Sequence, residues 1–90
     1  MEISEVRGLI EAALPDSRVA VEGEGCNFSC VVVSPSFQTL GPVQRQRLVL
    51  TAVQAPLATG ALHAISVKAY TPEEWEPLRA AASAELVRLQ

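Results

Sequence analysis

The fold of this chain is decided by residues 62–75, which read LHAISVKAYTPEEW. In the first half of this stretch apolar and other residues alternate, a two-residue period that predicts a β-strand from Leu62 to Ala69. One face of that strand carries His63, Ile65, Val67 and Ala69. In the second half Thr71-Pro72-Glu73-Glu74 matches a capping box with proline at the first helical position, so a helix is predicted to follow directly.

A helix and a hairpin are predicted upstream of this stretch. Apolar residues recur at helical spacing from Ile3 to Leu14, and Pro15 then ends the pattern because proline restricts the residue before it. Strands are predicted near Arg18 to Glu22 and Phe28 to Ser34, where β-branched residues are frequent. Gly23-Glu24-Gly25 supplies the permissive backbone of a turn, so these two strands are expected to form a hairpin.

Two more helical segments complete the predicted order of elements. A middle helix begins at Pro42 and ends at Gly60, with Pro56 disturbing its last turn. The helix after Thr71 continues beyond Trp75, although Pro77 lies deep enough to kink it. Its apolar face carries Leu78, Ala82, Leu86 and Leu89. The order is αββαβα, and we expect an α+β fold with a three-stranded sheet backed by helices over residues 1–77, extended by a C-terminal helical segment at 78–90.

Size, composition and charge exclude several classes of protein. With 90 residues, of which 49% are hydrophobic and only 4% aromatic, the chain has room for one aliphatic core. The formal net charge of -3 argues against general attraction to nucleic-acid phosphates. The N-terminus is acidic and no long apolar run follows it, so neither a signal peptide nor a membrane span is predicted and a cytoplasmic location is expected.

A few residues could carry chemistry, and each has a plain structural alternative. His63, the only histidine, fits either an outward-facing ligand or a partly buried structural residue. Arg45, Arg47 and Lys68 are the nucleic-acid candidates, although a solvated helix start is the simpler explanation for the arginines. No distinctive motif arranges a nucleophile and an acid around the single histidine, so an enzyme is not expected.

The two cysteines are predicted to have different environments. Cys26 and Cys30 are four residues apart, a spacing typical of neither a redox motif nor a secreted disulfide scaffold, so both are expected to be reduced. Cys30 shares the strand phase of Phe28 and Val32, which predicts a small buried hydrophobic residue. Cys26 lies in the glycine turn, where an exposed thiol is expected.

Four blocks of sequence together resemble one known family. They are residues 19–28 (VAVEGEGCNF), 31–37 (VVVSPSF), 43–49 (VQRQRLV) and 62–75, the last being the most specific. This pattern resembles the BolA-like family, and within it the YrbA-type acid-stress bacterial branch. The resemblance implies a sheet and helices similar to the second class of KH domain, without that domain's Gly-x-x-Gly loop.

The resemblance also implies a function for two of these residues. Members of the BolA-like family have a histidine at the position of His63 that binds a [2Fe-2S] cluster. The cluster is shared with a monothiol glutaredoxin, whose glutathione completes the ligands, and the resemblance implies the same role for His63. Their second ligand comes from the turn between the first two strands, which gives the role to Cys26; Asn27 stands where close bacterial relatives often have histidine. No cluster is expected in the isolated protein, which would be a monomer or a weak homodimer. A DNA-binding transcriptional regulator of the stress or morphology type is the alternative that the family offers.

A count of ligands agrees with a shared cluster. A [2Fe-2S] cluster takes about four protein or thiol ligands, and histidine can replace cysteine on one iron. The chain offers only His63, Cys26 and Cys30 as candidates. It therefore cannot complete a cluster alone.

Overall fold

The computed structural model describes residues 2–25 and 27–78 as a three-stranded sheet with helices, and the predicted α+β class is confirmed. The elements, in chain order, are α1 (Ile3–Ala13), β1 (Arg18–Glu24), β2 (Asn27–Val33), a 3-10 turn (Pro35–Phe37), α2 (Pro42–Ala52), α3 (Gln54–Thr59), β3 (Ala64–Tyr70) and α4 (72–78). No helix within these two ranges is both long and apolar enough to cross a membrane.

The sheet is mixed, with β2 in the centre. β1 and β2 are antiparallel, from the pair Arg18 and Val33 to the pair Glu24 and Asn27. β2 and β3 are parallel, and Asn27 pairs with Ala64 at their first residues. A parallel pair needs a crossover connection, which α2 and α3 supply. The consequence for function is that β2 and β3 begin at the same edge of the sheet.

The core lies between the helices and one face of the sheet. Strand residues facing the helices are those that alternate inward, such as Phe28, Cys30 and Val32 on β2. The helices and loops contribute Val6, Ile10, Leu14, Phe37, Val49, Val53 and Leu62. On the opposite face Ala20, Glu22, Ser66 and Lys68 are exposed. The predicted arrangement, in which helices cover one face of the sheet, is confirmed for the described elements.

The middle helix is two helices rather than one, which corrects the prediction. α2 ends at Ala52, and Val53 has a non-helical backbone with φ -108° and ψ 19° before α3 begins. Proline cannot donate to the carbonyl four residues earlier and its ring collides with that carbonyl. Pro56 therefore breaks the helix at Val53 and occupies the first turn of α3, where a missing donor is tolerated. The predicted end at Gly60 is confirmed by its left-handed φ of 83°.

The third strand begins two residues later than its alternation predicts. Leu62 is only 1% exposed, and its backbone N–H donates to the Pro56 carbonyl oxygen at 3.0 Å, so it closes the α3 turn instead of entering β3. His63 follows as an exposed residue directly before Ala64. Alternation alone cannot distinguish a buried turn leucine from the first residue of a strand.

The hairpin connection is also shorter than predicted. Gly23 and Glu24 belong to β1, where they pair with Phe28 and Asn27. Only residues 25 and 26 lie between the paired strands, and Gly25 has a φ of 66°. A positive φ at the first central residue is what two-residue hairpin turns require. At the other end β2 stops at Val33 instead of Ser34.

The start of α4 is confirmed, whereas its continuation cannot be compared. The Glu74 backbone N–H donates to the Thr71 hydroxyl at 3.3 Å, and the Thr71 N–H donates to Glu74 Oε1 at 2.8 Å, as a capping box requires. The predicted helical face through Ala82, Leu86 and Leu89, and all of the predicted 78–90 extension beyond Leu78, lie outside the described residues.

Removing the threonine cap should destabilise the fold by a measurable amount. Thr71 is buried, and alanine cannot accept the Glu74 N–H, so we expect Thr71→Ala to lower the free energy of unfolding by about 1 kcal/mol. Urea denaturation measures this change. Thr51→Ala is the matched control, because Thr51 is an exposed residue in the last turn of α2 whose hydroxyl only donates to the Arg47 carbonyl. Equal midpoints for Thr71→Ala and the wild type would contradict the capping role.

Candidate functional site

The edge of the sheet where β2 and β3 begin holds the candidate site. Asn27 pairs with Ala64 in the parallel register, and His63 immediately precedes Ala64. Cys26 lies outside the described residues, but it is bonded to Asn27, and consecutive Cα atoms are about 3.8 Å apart. Neighbouring strands are roughly 4.8 Å apart. The chain's only histidine and the cysteine-bearing turn are therefore attached to directly paired residues.

The side chain of His63 is available as a ligand at this edge. It is exposed, and no hydrogen bond to its ring is found within residues 2–25 and 27–78. The alternative of a partly buried structural histidine is wrong, because β3 begins only at Ala64 and the helices do not cover the preceding residue.

Cys30 is not available as a ligand at this edge. Its side chain is 3% exposed, on the helix-facing side of the sheet between Val21 and Val67. Burial raises the pKa of the Cys30 thiol to about 11, so it remains protonated near neutral pH. The expected small buried hydrophobic residue is confirmed.

The donor types at the edge fit iron, but they are too few to hold it alone. Imidazole and thiolate both bind iron in [2Fe-2S] proteins. Within the parts of the chain that the structure describes, no group of three histidine, cysteine or acidic side chains could hold a metal ion. A cluster at His63 and Cys26 would find no third ligand of these types beside His63 among the described residues.

Arg45 is held by contacts within the protein. Its Nε donates to the Leu40 carbonyl oxygen at 2.9 Å, its Nη1 donates to Glu74 Oε1 at 2.6 Å, and the Ala69 carbonyl lies 3.4 Å from Nη1. The guanidinium also stands 5.8 Å from the centre of the Phe37 ring. The Arg45 side chain is 12% exposed. Arg45 is therefore not a solvated side chain at the helix start, whereas Arg47 is exposed as expected.

Glu74 joins this arginine to the start of α4. Hydrogen bonds from the Arg45 guanidinium, and then from the Thr71 backbone, hold the pKa of the Glu74 carboxyl below its usual value. The same carboxylate thus serves both the capping box and an ion pair to α2. Sequence reasoning identified only its capping role, because the two residues are 29 positions apart and local spacing cannot pair them.

The three basic candidates do not form one surface. Lys68 is exposed on β3 between Val67 and Ala69, both of which pack towards the helices. Lys68 therefore faces the opposite side of the sheet from α2, which carries both arginines. It lines a shallow cleft of about 300 Å³ with Glu22, Ser29 and Ser66. Within residues 2–25 and 27–78, these three side chains therefore form no continuous basic patch of the kind that binds phosphate backbones.

Comparison with known proteins places the chain in a class. Residues 11–74 match the family described as BolA-like protein. Because this match covers most of the chain, the chain belongs to the BolA-like family.

Particular relatives support the bacterial acid-stress branch. The chain is 35% identical over 75 residues to the acid stress protein IbaG of Escherichia coli, covering 83% of this chain and 89% of that protein. A BolA protein homologue from Coxiella burnetii has a similar structure, with a TM-score of 0.76 and 36% identity, covering 84% of this chain and 97% of that one. BolA1 from Arabidopsis thaliana has a TM-score of 0.71 and 29% identity, covering 82% and 98%. The resemblance inferred from the sequence blocks is confirmed.

Proposed function

We propose that this protein is an adaptor that binds a monothiol glutaredoxin and shares a [2Fe-2S] cluster with it, in iron-sulfur trafficking or in iron, redox and stress regulation. The observation that supports this most directly is the exposed His63 directly before Ala64, the β3 residue that pairs with Asn27, which in turn follows Cys26. Family membership supports it in a general way.

In the proposed complex the chain supplies two ligands and a fixed backbone position for His63. The neutral imidazole of His63 and the thiolate of Cys26 would bind iron, and the partner's thiolate with glutathione would supply the rest. His63 is anchored because it stands between the buried Leu62 and the first paired residue of β3. A fixed backbone before and after His63 reduces the ordering cost of ligand binding.

The two cysteines provide a matched test of this proposal. Cys26→Ser replaces the proposed ligand, whereas Cys30→Ser makes the same change in a thiol that faces the core. We expect native mass spectrometry of mixtures with cluster-loaded glutaredoxin to show the cluster-bridged heterodimer with Cys30→Ser and to lose most of it with Cys26→Ser. The folded fraction of both variants is checked by circular dichroism, since Cys30→Ser adds a buried hydroxyl. Equal heterodimer yields would remove Cys26 from the proposed ligand set.

A further inference from the structure

Gly23 permits a close approach of β1 and β2 immediately before the hairpin turn. Its φ is 138°, a region that side chains rarely adopt, yet it remains paired with Phe28 in the sheet. A Cβ built on Gly23 would overlap the carbonyl oxygen of Asn27 and would lie 2.8 Å from the Cα of Phe28. Both contacts are with backbone atoms, so a side chain at residue 23 could be accommodated only by moving β2.

The part of β2 that would move is the part that directly follows the proposed ligand Cys26. Asn27 is bonded to Cys26 and pairs with Ala64, the residue after His63. The Phe28 ring closes the contact from the core side, with its Cδ1 3.1 Å from the Cβ position of Gly23. A displacement of Asn27 therefore disturbs its pairing with Ala64, the residue bonded to His63.

We propose that Gly23 is a positioning residue for the ligand pair: the absence of its side chain lets Asn27, which follows Cys26, pair with Ala64, which follows His63. This inference rests on the proposed function for its purpose, but the pairing that it concerns exists in the protein without a cluster. Other glycines lack this relationship, since a Cβ at Gly8 or Gly25 would meet nothing within 4 Å.

Disulfide formation measures the distance between residues 26 and 63 without iron or glutaredoxin. His63→Cys introduces a thiol at residue 63, and Cys30→Ser removes the remaining competitor. A disulfide forms only when the two Cα atoms are roughly 4.4–6.8 Å apart. The rate of crosslinking to Cys26 by diamide, followed by mass spectrometry, therefore reports the ligand spacing. All variants are compared in sodium sulfate, which favours the compact state, and each rate is divided by the folded fraction.

We expect adding Gly23→Ala to slow crosslinking roughly ten-fold or more, because intramolecular rates depend steeply on alignment. Gly8→Ala, on the exposed side of α1, should leave the rate unchanged. Val33→Ala is the control for lost stability: it makes a cavity at the far end of β2, six residues from Asn27 and paired with Arg18. It should lower the unfolding midpoint without slowing the crosslink.

The outcomes separate positioning from folding and from the proposed function. An unchanged rate with Gly23→Ala would overturn the inference, as would equal slowing by Val33→Ala. A Gly23→Ala protein that stays unfolded in sulfate would make Gly23 a general requirement of the fold and would also overturn it. Failure of the adaptor proposal is visible separately, because wild-type protein would then leave the glutaredoxin cluster spectrum unchanged whatever the crosslinking rates.

Discussion

Replacing His63 by alanine should abolish the visible circular dichroism of the mixed cluster that we expect wild-type protein to form with a cluster-loaded glutaredoxin. Alanine has no nitrogen to bind iron, and no other histidine exists in the chain to replace it. The effect should be nearly complete, because the partner and glutathione alone do not provide the mixed histidine and thiolate set that gives the spectrum its character.

Loss of the spectrum must be separated from loss of the fold. His63 is exposed and has no hydrogen bond among the described residues, so His63→Ala should change the free energy of unfolding by less than about 0.5 kcal/mol. Asn27→Ala is the matched control at the same edge, since Asn27 is exposed and pairs with Ala64. A spectrum lost with Asn27→Ala and retained with His63→Ala would assign the ligand to Asn27 instead of His63.

The second large effect concerns stability. We expect Arg45→Ala to lower the free energy of unfolding by about 2 kcal/mol, because hydrogen bonds from charged donors contribute roughly 1.5–3 kcal/mol each and the Leu40 carbonyl would lose one. The substitution also removes the ion-pair partner of Glu74 and the contact with Phe37. Urea denaturation of both proteins at neutral pH measures the difference.

Arg47 supplies the control for this prediction. It lies two residues along α2, is exposed and carries the same charge, so Arg47→Ala should leave the midpoint nearly unchanged. Equal midpoints for Arg45→Ala and Arg47→Ala would contradict the linking role of Arg45.

The same two variants also bear on the DNA-regulator alternative. Weaker DNA binding by Arg45→Ala could arise from a loosened fold, whereas weaker binding by Arg47→Ala would indicate a phosphate contact.

The parts of the fold that depend on neighbouring residues could be predicted from the sequence. The capping box at Thr71 was predictable because all of its hydrogen bonds join residues three positions apart. The burial of Cys30 was predictable from its phase with Phe28 and Val32. The helix break at Val53 lies earlier than the sequence pattern predicts, because Pro56 acts on the carbonyl four residues before it and not on the turn that it occupies.

Features that depend on distant residues could not be predicted in the same way. No local pattern joins Arg45 to Glu74. Nor does a local pattern show that β1 continues through Gly23, because that depends on the pairing of Gly23 with Phe28 on β2. The exposure of His63 depends on Leu62 turning into the core, which follows from the hydrogen bond to Pro56. The site residues could be suggested only through a family resemblance, and the parallel register of β2 and β3 pairs Asn27 and Ala64, the residues that follow them.

The most direct test of the adaptor proposal is a titration of the wild-type protein into a cluster-loaded monothiol glutaredoxin homodimer, followed by visible circular dichroism. Conversion of the homodimer spectrum into a new one that saturates at one protein per glutaredoxin is the predicted result. The amount of this cluster-bridged species should decrease in acid, because a protonated imidazole cannot bind iron. A homodimer spectrum that stays unchanged through excess protein would contradict the proposed function.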